Sequence, residues 1–280
     1  MVSLEIILVI LSLCGASGIT YLICAYTKWY FFWIGLFLVP ALYLVLYILT
    51  LIILIIWGSI LKIGNKKGID KPNSFYASII RNVSSTTIHL LNASVKVNGL
   101  EKLPENKKFI LINNHISNFD QMALLDILPK KYRPIIFISK PQNMKLPIAG
   151  PFVERAGYIP IDRENPKKGM KAINKAVDFI NQYDVPIGIS PEGTRNKTKE
   201  IMLPFHPGSF KIAYKANCPI VVCSIKNTNL VHKNTPFKHT TIYVNILDVI
   251  YPKQFENMNT VELSEICRNK IIEDLIRKEN

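Results

Sequence analysis

His115 and Asp120 are the two residues of this sequence whose types and spacing best suit the transfer of a proton. A carboxylate that accepts one ring N–H of a histidine fixes the tautomer and stabilises the imidazolium that forms when the other nitrogen takes a proton. On one continuous helix, a spacing of five residues would place the two side chains far apart around the axis. The chain must therefore bend between them if they are to act together.

The sequence around the pair predicts such a bend. Residues 109–112 are apolar and β-favouring, which indicates a buried strand that ends just before His115. Ser117 and Asp120 have the spacing of a capping box, so we expect a helix from Gln121. His115 would then lie on a strand-to-helix turn, where functional side chains are common. Taken alone, the stretch leaves two interpretations open: a general base oriented by Asp120, or a polar loop residue beside a helix cap.

Four motifs follow one another along the chain: Asn-His-x-Ser-x-x-Asp at residues 114–120, a Gly-Pro-Phe segment at 150–163, Pro-Glu-Gly-Thr-Arg at 191–195, and Cys-Pro-Ile-Val-Val at 218–222. In this order they resemble the motifs of the glycerolipid acyltransferases, the family of the 1-acyl-glycerol-3-phosphate acyltransferases. The resemblance covers about residues 96–225. One departure is Asn196, where the family often has serine.

The resemblance implies a role for each residue of the site. His115 would be the general base and Asp120 would orient it. The residues that would bind the acceptor are Lys140, Arg163, Glu192, Gly193, Thr194 and Arg195. Among them, the cations at 140, 163 and 195 match the phosphate-binding positions of the family. No cofactor and no metal ion are expected.

The implied reaction joins two lipid-derived substrates. A lysophosphatidic acid acceptor carries a free hydroxyl and a phosphomonoester, and the donor is an acyl thioester on acyl carrier protein or coenzyme A. The sequence has no Gly-x-Ser-x-Gly motif and no reactive-cysteine motif, which favours direct transfer over an acyl-enzyme. Arginine suits a phosphate because its planar guanidinium forms two parallel hydrogen bonds with the phosphate oxygens.

Other functions remain open at this stage. The acceptor could be glycerol-3-phosphate or another lysolipid, and a non-catalytic lipid-binding membrane protein would tolerate the loss of His115. A metal-dependent lipid phosphatase would need several clustered histidines and acids. Only His115 and Asp120 are close together in the sequence.

The amino-terminal segment predicts a membrane anchor. Before Lys62 the chain has one acid, Glu5, and one base, Lys28. The two uncharged stretches, residues 6–27 and 29–61, each have membrane-spanning length. We therefore expect two transmembrane helices in residues 1–61, the second centred on residues 39–57, although a hairpin lying on the surface is an alternative. Lysines and an arginine crowd the end of the second stretch, which places the rest of the chain on the cytoplasmic face.

Residues 62–280 are the right size for one domain, and they hold nearly all of the formal charge of +14. Beside a bilayer, such charge attracts anionic lipid and acidic substrates. The sequence has no basic motif interleaved with aromatic residues, so nucleic-acid binding is not expected. Short strands alternate with helical segments, which predicts an α/β fold: a mixed sheet flanked by helices, attached to the two-helix anchor.

Overall fold

A computed structural model of the chain describes residues 4–26, 32–63, 71–105, 108–128, 135–147, 149–162 and 165–277. The chain divides into two compact units, Met1–Lys67 and Gly68–Asn280. The two units are described separately below.

The amino-terminal unit contains two helices, α1 (Leu4–Tyr26) and α2 (Phe32–Ile63), which pack against each other. Within the described residues, one helical segment is long and apolar enough to cross a membrane: Leu38–Leu61, with a mean hydropathy of 2.8. It contains the centre of the second predicted span. The described apolar part of α1, Ile7–Gly18, is shorter than a bilayer crossing requires. A second transmembrane helix therefore stays a prediction.

The carboxy-terminal unit alternates strands and helices. Its elements are α3 (Ser74–Leu90), β1 (Ala93–Asn98), β2 (Ile110–Asn113), α4 (Phe119–Ile127), β3 (Ile136–Ser139), α5 (Ala149–Ala156), β4 (Ile159–Pro160), α6 (Pro166–Tyr183), β5 (Ile187–Ile189), α7 (Lys211–Ala216), β6 (Ile220–Lys226), α8 (Val231–Asn234), β7 (Thr240–Ile250), α9 (Pro252–Phe255) and α10 (Thr260–Ile276). Short 3₁₀ segments, among them Pro141–Lys145 and Pro207–Phe210, join some of them.

Across the described residues, seven strands form one mixed sheet in the order β1-β7-β6-β2-β5-β3-β4. Strand β2 pairs in parallel with both β5 and β6, whereas β6 and β7 are antiparallel. All of β2 is buried, as its apolar sequence predicts. Helix α3 packs against α4 and α5, and α10 packs against β6 and β7. The predicted mixed sheet flanked by helices is confirmed.

One edge of this sheet collects the residues that the sequence singled out. The parallel strands β2 to β6 all end at this edge, which we call the carboxyl edge. Strands β1 and β7 run in the opposite direction and begin there, since Ala93 pairs with Thr240 and Tyr243 pairs with Lys226 at the end of β6. Ligands of open α/β sheets bind beyond the carboxyl ends of the strands, so a site is expected at this edge.

Candidate active site

His115 and Asp120 meet across the turn between β2 and α4. The Nδ1 atom of His115 lies 2.8 Å from Oδ2 of Asp120. Helix α4 begins at Phe119, two residues earlier than the expected start at Gln121, and its N-cap Asn118 makes no side-chain cap bond. The predicted capping box is nevertheless partly present, because the Asp120 carboxylate accepts the N–H of Ser117 at 2.9 Å and the hydroxyl of Ser117 accepts the N–H of Phe119 at 3.3 Å.

The carboxylate of Asp120 is completely buried and fully occupied. Its Oδ2 atom also accepts the backbone N–H of Ile116 at 2.8 Å, and its Oδ1 atom accepts the hydroxyl of Thr228. These hydrogen bonds compensate the cost of removing a charged carboxylate from water. An ionised carboxylate only accepts hydrogen bonds, so the proton it shares with His115 belongs to Nδ1.

The imidazole of His115 is open on its other side. Its side chain is 20% exposed, against 0% for Asp120. Within the described ranges, no hydrogen bond engages Nε2 of His115. In the tautomer that Asp120 selects, this nitrogen carries a lone pair that can accept a proton.

The backbone of His115 is held from both sides by the segment that follows β5. Its N–H donates to Oε1 of Glu192, and its carbonyl accepts the N–H of Asn196 at 2.7 Å. Glu192 is 3% exposed, and its second oxygen accepts the N–H of Leu203 at 3.0 Å. Burial raises the pKa of Glu192 above its usual value, and the two amide hydrogen bonds oppose part of that rise. Glu192 therefore fixes the backbone of the histidine turn by linking His115 to Leu203.

The same segment forms an exposed loop beside His115. Gly193 has a φ of 76°, a left-handed conformation that favours glycine, and it is buried at the start of the loop. Thr194 and Arg195 are exposed. The Nζ atom of Lys140, which follows β3, lies 3.5 Å from Oγ1 of Thr194. The loop thus gathers two cations, at positions 140 and 195, next to the histidine turn.

Asn196 shapes the rest of this loop, at the position where the family often has serine. Its Oδ1 atom accepts the N–H and the hydroxyl of Thr198 at 3.0 and 2.7 Å, and its Nδ2 atom donates to the carbonyl of Glu200 at 2.8 Å. An asparagine that bonds the backbone two residues on forms a compact turn. The departure from the family pattern therefore occurs at a residue that orders the loop locally.

Most of the predicted site residues lie together at the carboxyl edge. His115, Asp120 and the cations at 140 and 195 are close to the turn, whereas Glu192 and Gly193 are buried under it. Arg163 lies outside the described residues. Thr228, which the sequence analysis did not identify, belongs to the site because it bonds Asp120 from the end of β6. The signal that could have found it is its position after a strand adjacent to β2.

Residues 94–226 match the model of the family described as Acyltransferase. The matched domain covers 133 of the 280 residues, slightly less than half of the chain. The resemblance to the glycerolipid acyltransferases is thereby confirmed, and the domain contains both His115 and Asp120 together with the loop that carries Arg195.

Proteins similar to this chain occur in distant organisms. The 1-acyl-sn-glycerol-3-phosphate acyltransferase of Saccharomyces cerevisiae is 30% identical over 190 residues, which are 66% of this chain and 61% of the yeast protein. The alpha form from Homo sapiens is 31% identical over 133 residues, 48% of this chain and 46% of the human protein. That of Borreliella burgdorferi is 26% identical over 194 residues, 68% of this chain and 74% of the bacterial protein.

This chain spans less than two thirds of the yeast and human relatives that it matches. Its fold is similar to the crystal structure of the 1-acyl-sn-glycerophosphate (LPA) acyltransferase PlsC from Thermotoga maritima, with a TM-score of 0.58 and 22% identity. The match covers 73% of this chain and 81% of that one. At this identity the likeness concerns the fold.

Proposed function

We propose that this chain transfers an acyl group from an acyl thioester to the free hydroxyl of 1-acyl-sn-glycerol-3-phosphate, and so makes phosphatidic acid. The thioester carrier would be acyl carrier protein or coenzyme A. The observation that carries the proposal is the 2.8 Å contact between His115 Nδ1 and Asp120 Oδ2, at a turn flanked by Lys140 and Arg195. The names of the relatives agree with this acceptor.

In the proposed reaction His115 acts as the general base. Its Nε2 atom takes the proton of the acceptor hydroxyl as the oxygen attacks the thioester carbonyl, and Asp120 stabilises the resulting imidazolium. The tetrahedral intermediate collapses with cleavage of the C–S bond. His115 returns the proton to the departing thiolate, so the products are an ester and a thiol.

Lys140 and Arg195 would bind the acceptor phosphate, and Arg163 would join them. Fixed cations hold the phosphomonoester at a constant distance from the base, which places the hydroxyl for attack. Thr194 would contribute its exposed hydroxyl, whereas Glu192 and Gly193 would keep the loop in position. This division of roles predicts that changes in the loop cations affect the acceptor more than the donor.

The decisive experiment is an assay of the full-length chain against a panel of acceptors with both donors. We expect the fastest transfer to 1-acyl-sn-glycerol-3-phosphate, ahead of glycerol-3-phosphate and of other lysolipids. A faster reaction with glycerol-3-phosphate would reassign the acceptor. Binding of the lysolipid without any transfer would make the chain a lipid-binding protein.

Arg195→Ala separates acceptor binding from chemistry in the same assay. A charged hydrogen bond contributes about 1.5–3 kcal/mol, so the KM of the acceptor should rise about ten- to a hundredfold. Arg195→Lys should recover only part of this loss, because an ammonium does not reproduce the two-pronged contact. The matched control is Lys197→Ala, since Lys197 is an exposed cation of the same loop. A rise in the donor KM alone would assign Arg195 to the thioester carrier.

We also propose that residues 1–61 anchor the chain through two transmembrane helices and that residues 62–280 face the cytoplasm as the acyltransferase domain. The apolar segment Leu38–Leu61 and the cations that follow it support this arrangement. The protein should then resist extraction by alkaline carbonate. A cysteine introduced at Lys67 should react with a membrane-impermeant reagent only after the cytoplasmic side is opened. Release by alkali would instead indicate a surface-bound hairpin.

A further inference from the structure

Phe237 stands almost entirely in solvent. Its side chain is 96% exposed, which is the highest value among the large apolar side chains that the structure describes. It belongs to residues 231–239, the second part of the connection between β6 and β7, which we call the docking loop. A large exposed aromatic side chain indicates an interaction surface when the surrounding backbone holds it in place.

The docking loop is held rigidly against the end of α3 and the start of β1. Thr235 donates its hydroxyl to the carbonyl of Leu91 at 2.7 Å, and Asn92 donates to the carbonyl of Pro236 at 3.2 Å. His239 contacts Asn92 Oδ1 at 3.1 Å. Phe237 is therefore presented on an ordered backbone.

The surroundings of Phe237 are basic and partly apolar. Lys233 and Lys238 are exposed within the loop, and Leu90, at the end of α3, is 39% exposed. Residues 227–239 contain no aspartate or glutamate, and neither does α3. An aromatic tip flanked by lysines complements an anionic bilayer, in which the ring reaches the interface and the ammonium groups meet the headgroups.

The docking loop also adjoins the candidate active site. Thr228, just before the loop, donates to Asp120, and the ring of His232 packs edge-on against Phe119 at 4.8 Å between centroids. The loop leaves the sheet at the carboxyl edge, where β6 ends and β7 begins. A surface bound by this loop would lie beside the opening to His115.

We infer that the docking loop inserts Phe237 into the surface of an anionic bilayer and so turns the carboxyl edge towards the membrane. The inference rests on the proposed function in one respect, because the acceptor that it brings to His115 is a membrane lipid. It assigns the loop to a lipid surface and not to an acidic carrier protein. The reason is the exposed aromatic side chain, because binding to a bilayer interface becomes stronger as more apolar surface is buried in it.

The test places a polarity-sensitive fluorophore at position 237 of the full chain. The chain carries Phe237→Cys, with Cys14→Ala and Cys24→Ala to remove competing thiols; Cys218, Cys223 and Cys267 are buried. It also carries His115→Ala, so that docking is measured without turnover. The matched control is Val261→Cys, because Val261 is 56% exposed at the start of α10. Helix α10 follows β7, and β7 ends at the edge of the sheet opposite the carboxyl edge.

The labelled chains are reconstituted in vesicles of phosphatidylcholine and phosphatidylglycerol. The label at position 237 should shift its emission to the blue, be quenched by nitroxide lipids, and resist aqueous iodide about fivefold better than the label at position 261. Equal access of iodide to the two labels would overturn the inference. So would shielding of position 237 by acyl carrier protein in detergent micelles without any shielding by vesicles.

The charge component is tested with Lys233→Glu and Lys238→Glu together. Their combination should abolish the difference between vesicles with and without phosphatidylglycerol, because the ammonium groups no longer attract the anionic headgroups. An equal blue shift in phosphatidylcholine alone would overturn the assignment to an anionic surface. A chain that retains His115 and transfers acyl groups without docking would overturn this inference alone. A chain that retains His115 and docks but transfers none would overturn only the proposed function.

Discussion

Two carboxylates, Asp120 and Asp274, accept hydrogen bonds from residues on or just after β6, and their other partners differ. Asp120 bonds two backbone amides, the hydroxyl of Thr228 and the imidazole of His115. Asp274, on α10, has an Oδ2 atom that accepts the hydroxyl of Ser224 at 2.6 Å.

The cluster around Asp274 includes an ion pair with Lys226. The same Oδ2 atom accepts Nδ2 of Asn245 at 3.0 Å and lies 3.2 Å from Nζ of Lys226. The side chains of Lys226 and Asp274 are only 11% and 16% exposed. The cluster therefore joins α10 to β6 and β7 through one ion pair and two hydrogen bonds.

In the proposed mechanism Asp120 is a catalytic carboxylate, and Asp274 serves as the structural carboxylate to which it is compared. Both carboxylates accept several hydrogen bonds, although Asp120 is fully buried and Asp274 only partly so. The difference is the outermost partner. For Asp120 it is a histidine whose second ring nitrogen can accept a proton, and for Asp274 it is a lysine, which only donates hydrogen bonds. Changes to the Asp120 cluster should therefore affect turnover, and changes to the Asp274 cluster should affect stability.

The largest effect is expected from His115→Ala. Removal of a general base lowers the rate about 10²- to 10⁴-fold, so kcat should fall by this factor while the unfolding temperature stays near that of the wild type. Asp120→Asn should cost a comparable factor, because an amide partner favours the wrong tautomer. His206→Ala is the control, since His206 is an exposed histidine of the same domain. Near-wild-type turnover in His115→Ala would contradict the mechanism.

The sequence was sufficient to predict the local part of the Asp120 cluster. An apolar strand, a break and a helix start are encoded within a few residues, so the turn that joins His115 to Asp120 could be inferred directly. The contacts of Glu192 and Thr228 could not, because they join residues 77 and 108 positions apart in the chain. They depend on which strands become neighbours, and the Asp274 cluster depends on the same pairing.

The next largest effect is expected from Asp274→Asn, on stability. The substitution leaves Lys226 without its carboxylate, and charged hydrogen bonds contribute about 1.5–3 kcal/mol, so the free energy of unfolding should fall by about that amount. Activity per folded molecule should not change. Denaturant unfolding of the full chain in detergent measures both quantities.

Asp248→Asn is the matched control for this variant. Asp248 pairs with Lys270 at 2.9 Å, but both side chains are about 40% exposed, at 41% and 39%. Exposed ion pairs contribute at most about 1 kcal/mol. A larger loss in Asp248→Asn than in Asp274→Asn would show that the Asp274 cluster is not a structural centre.

The pH dependence of stability should separate Asp274 from Glu192. Burial acts to raise the pKa of Asp274, but the hydrogen bonds from Ser224, Asn245 and Lys226 outweigh it and hold the pKa below 3.8. The stabilisation from Asp274 is therefore present above 3.8 and is lost as the pH falls through the lowered pKa. Glu192 has the opposite sign, because burial raises its pKa above 4.5, and its ionisation destabilises the fold as the pH rises through that raised value.

Unfolding free energies measured over a pH series that crosses 3.8 and 4.5 test these signs. The deficit of Asp274→Asn relative to the wild type should shrink at the acid end. Glu192→Gln should lose a constant amount of stability, because its amide has one oxygen and can accept only one of the two backbone N–H groups that Glu192 binds. Relative to the wild type, the variant should nevertheless become more stable as the pH rises. Parallel curves for the two variants would contradict the assignment of opposite shifts.

The smallest effect is expected from Thr228→Val, which removes one hydroxyl from the Asp120 cluster. Valine has nearly the same shape, so the carboxylate stays buried but loses one of its donors, and we expect a decrease in kcat of about tenfold with little change in the acceptor KM. Thr228→Ser restores a hydroxyl and should recover most of the rate. Such recovery, without a matching change in unfolding temperature, would identify Thr228 as a positioning residue for Asp120. If the serine and valine variants were equally slow, Thr228 would serve only to pack the end of β6, and the turn between β2 and α4 would hold Asp120 without it.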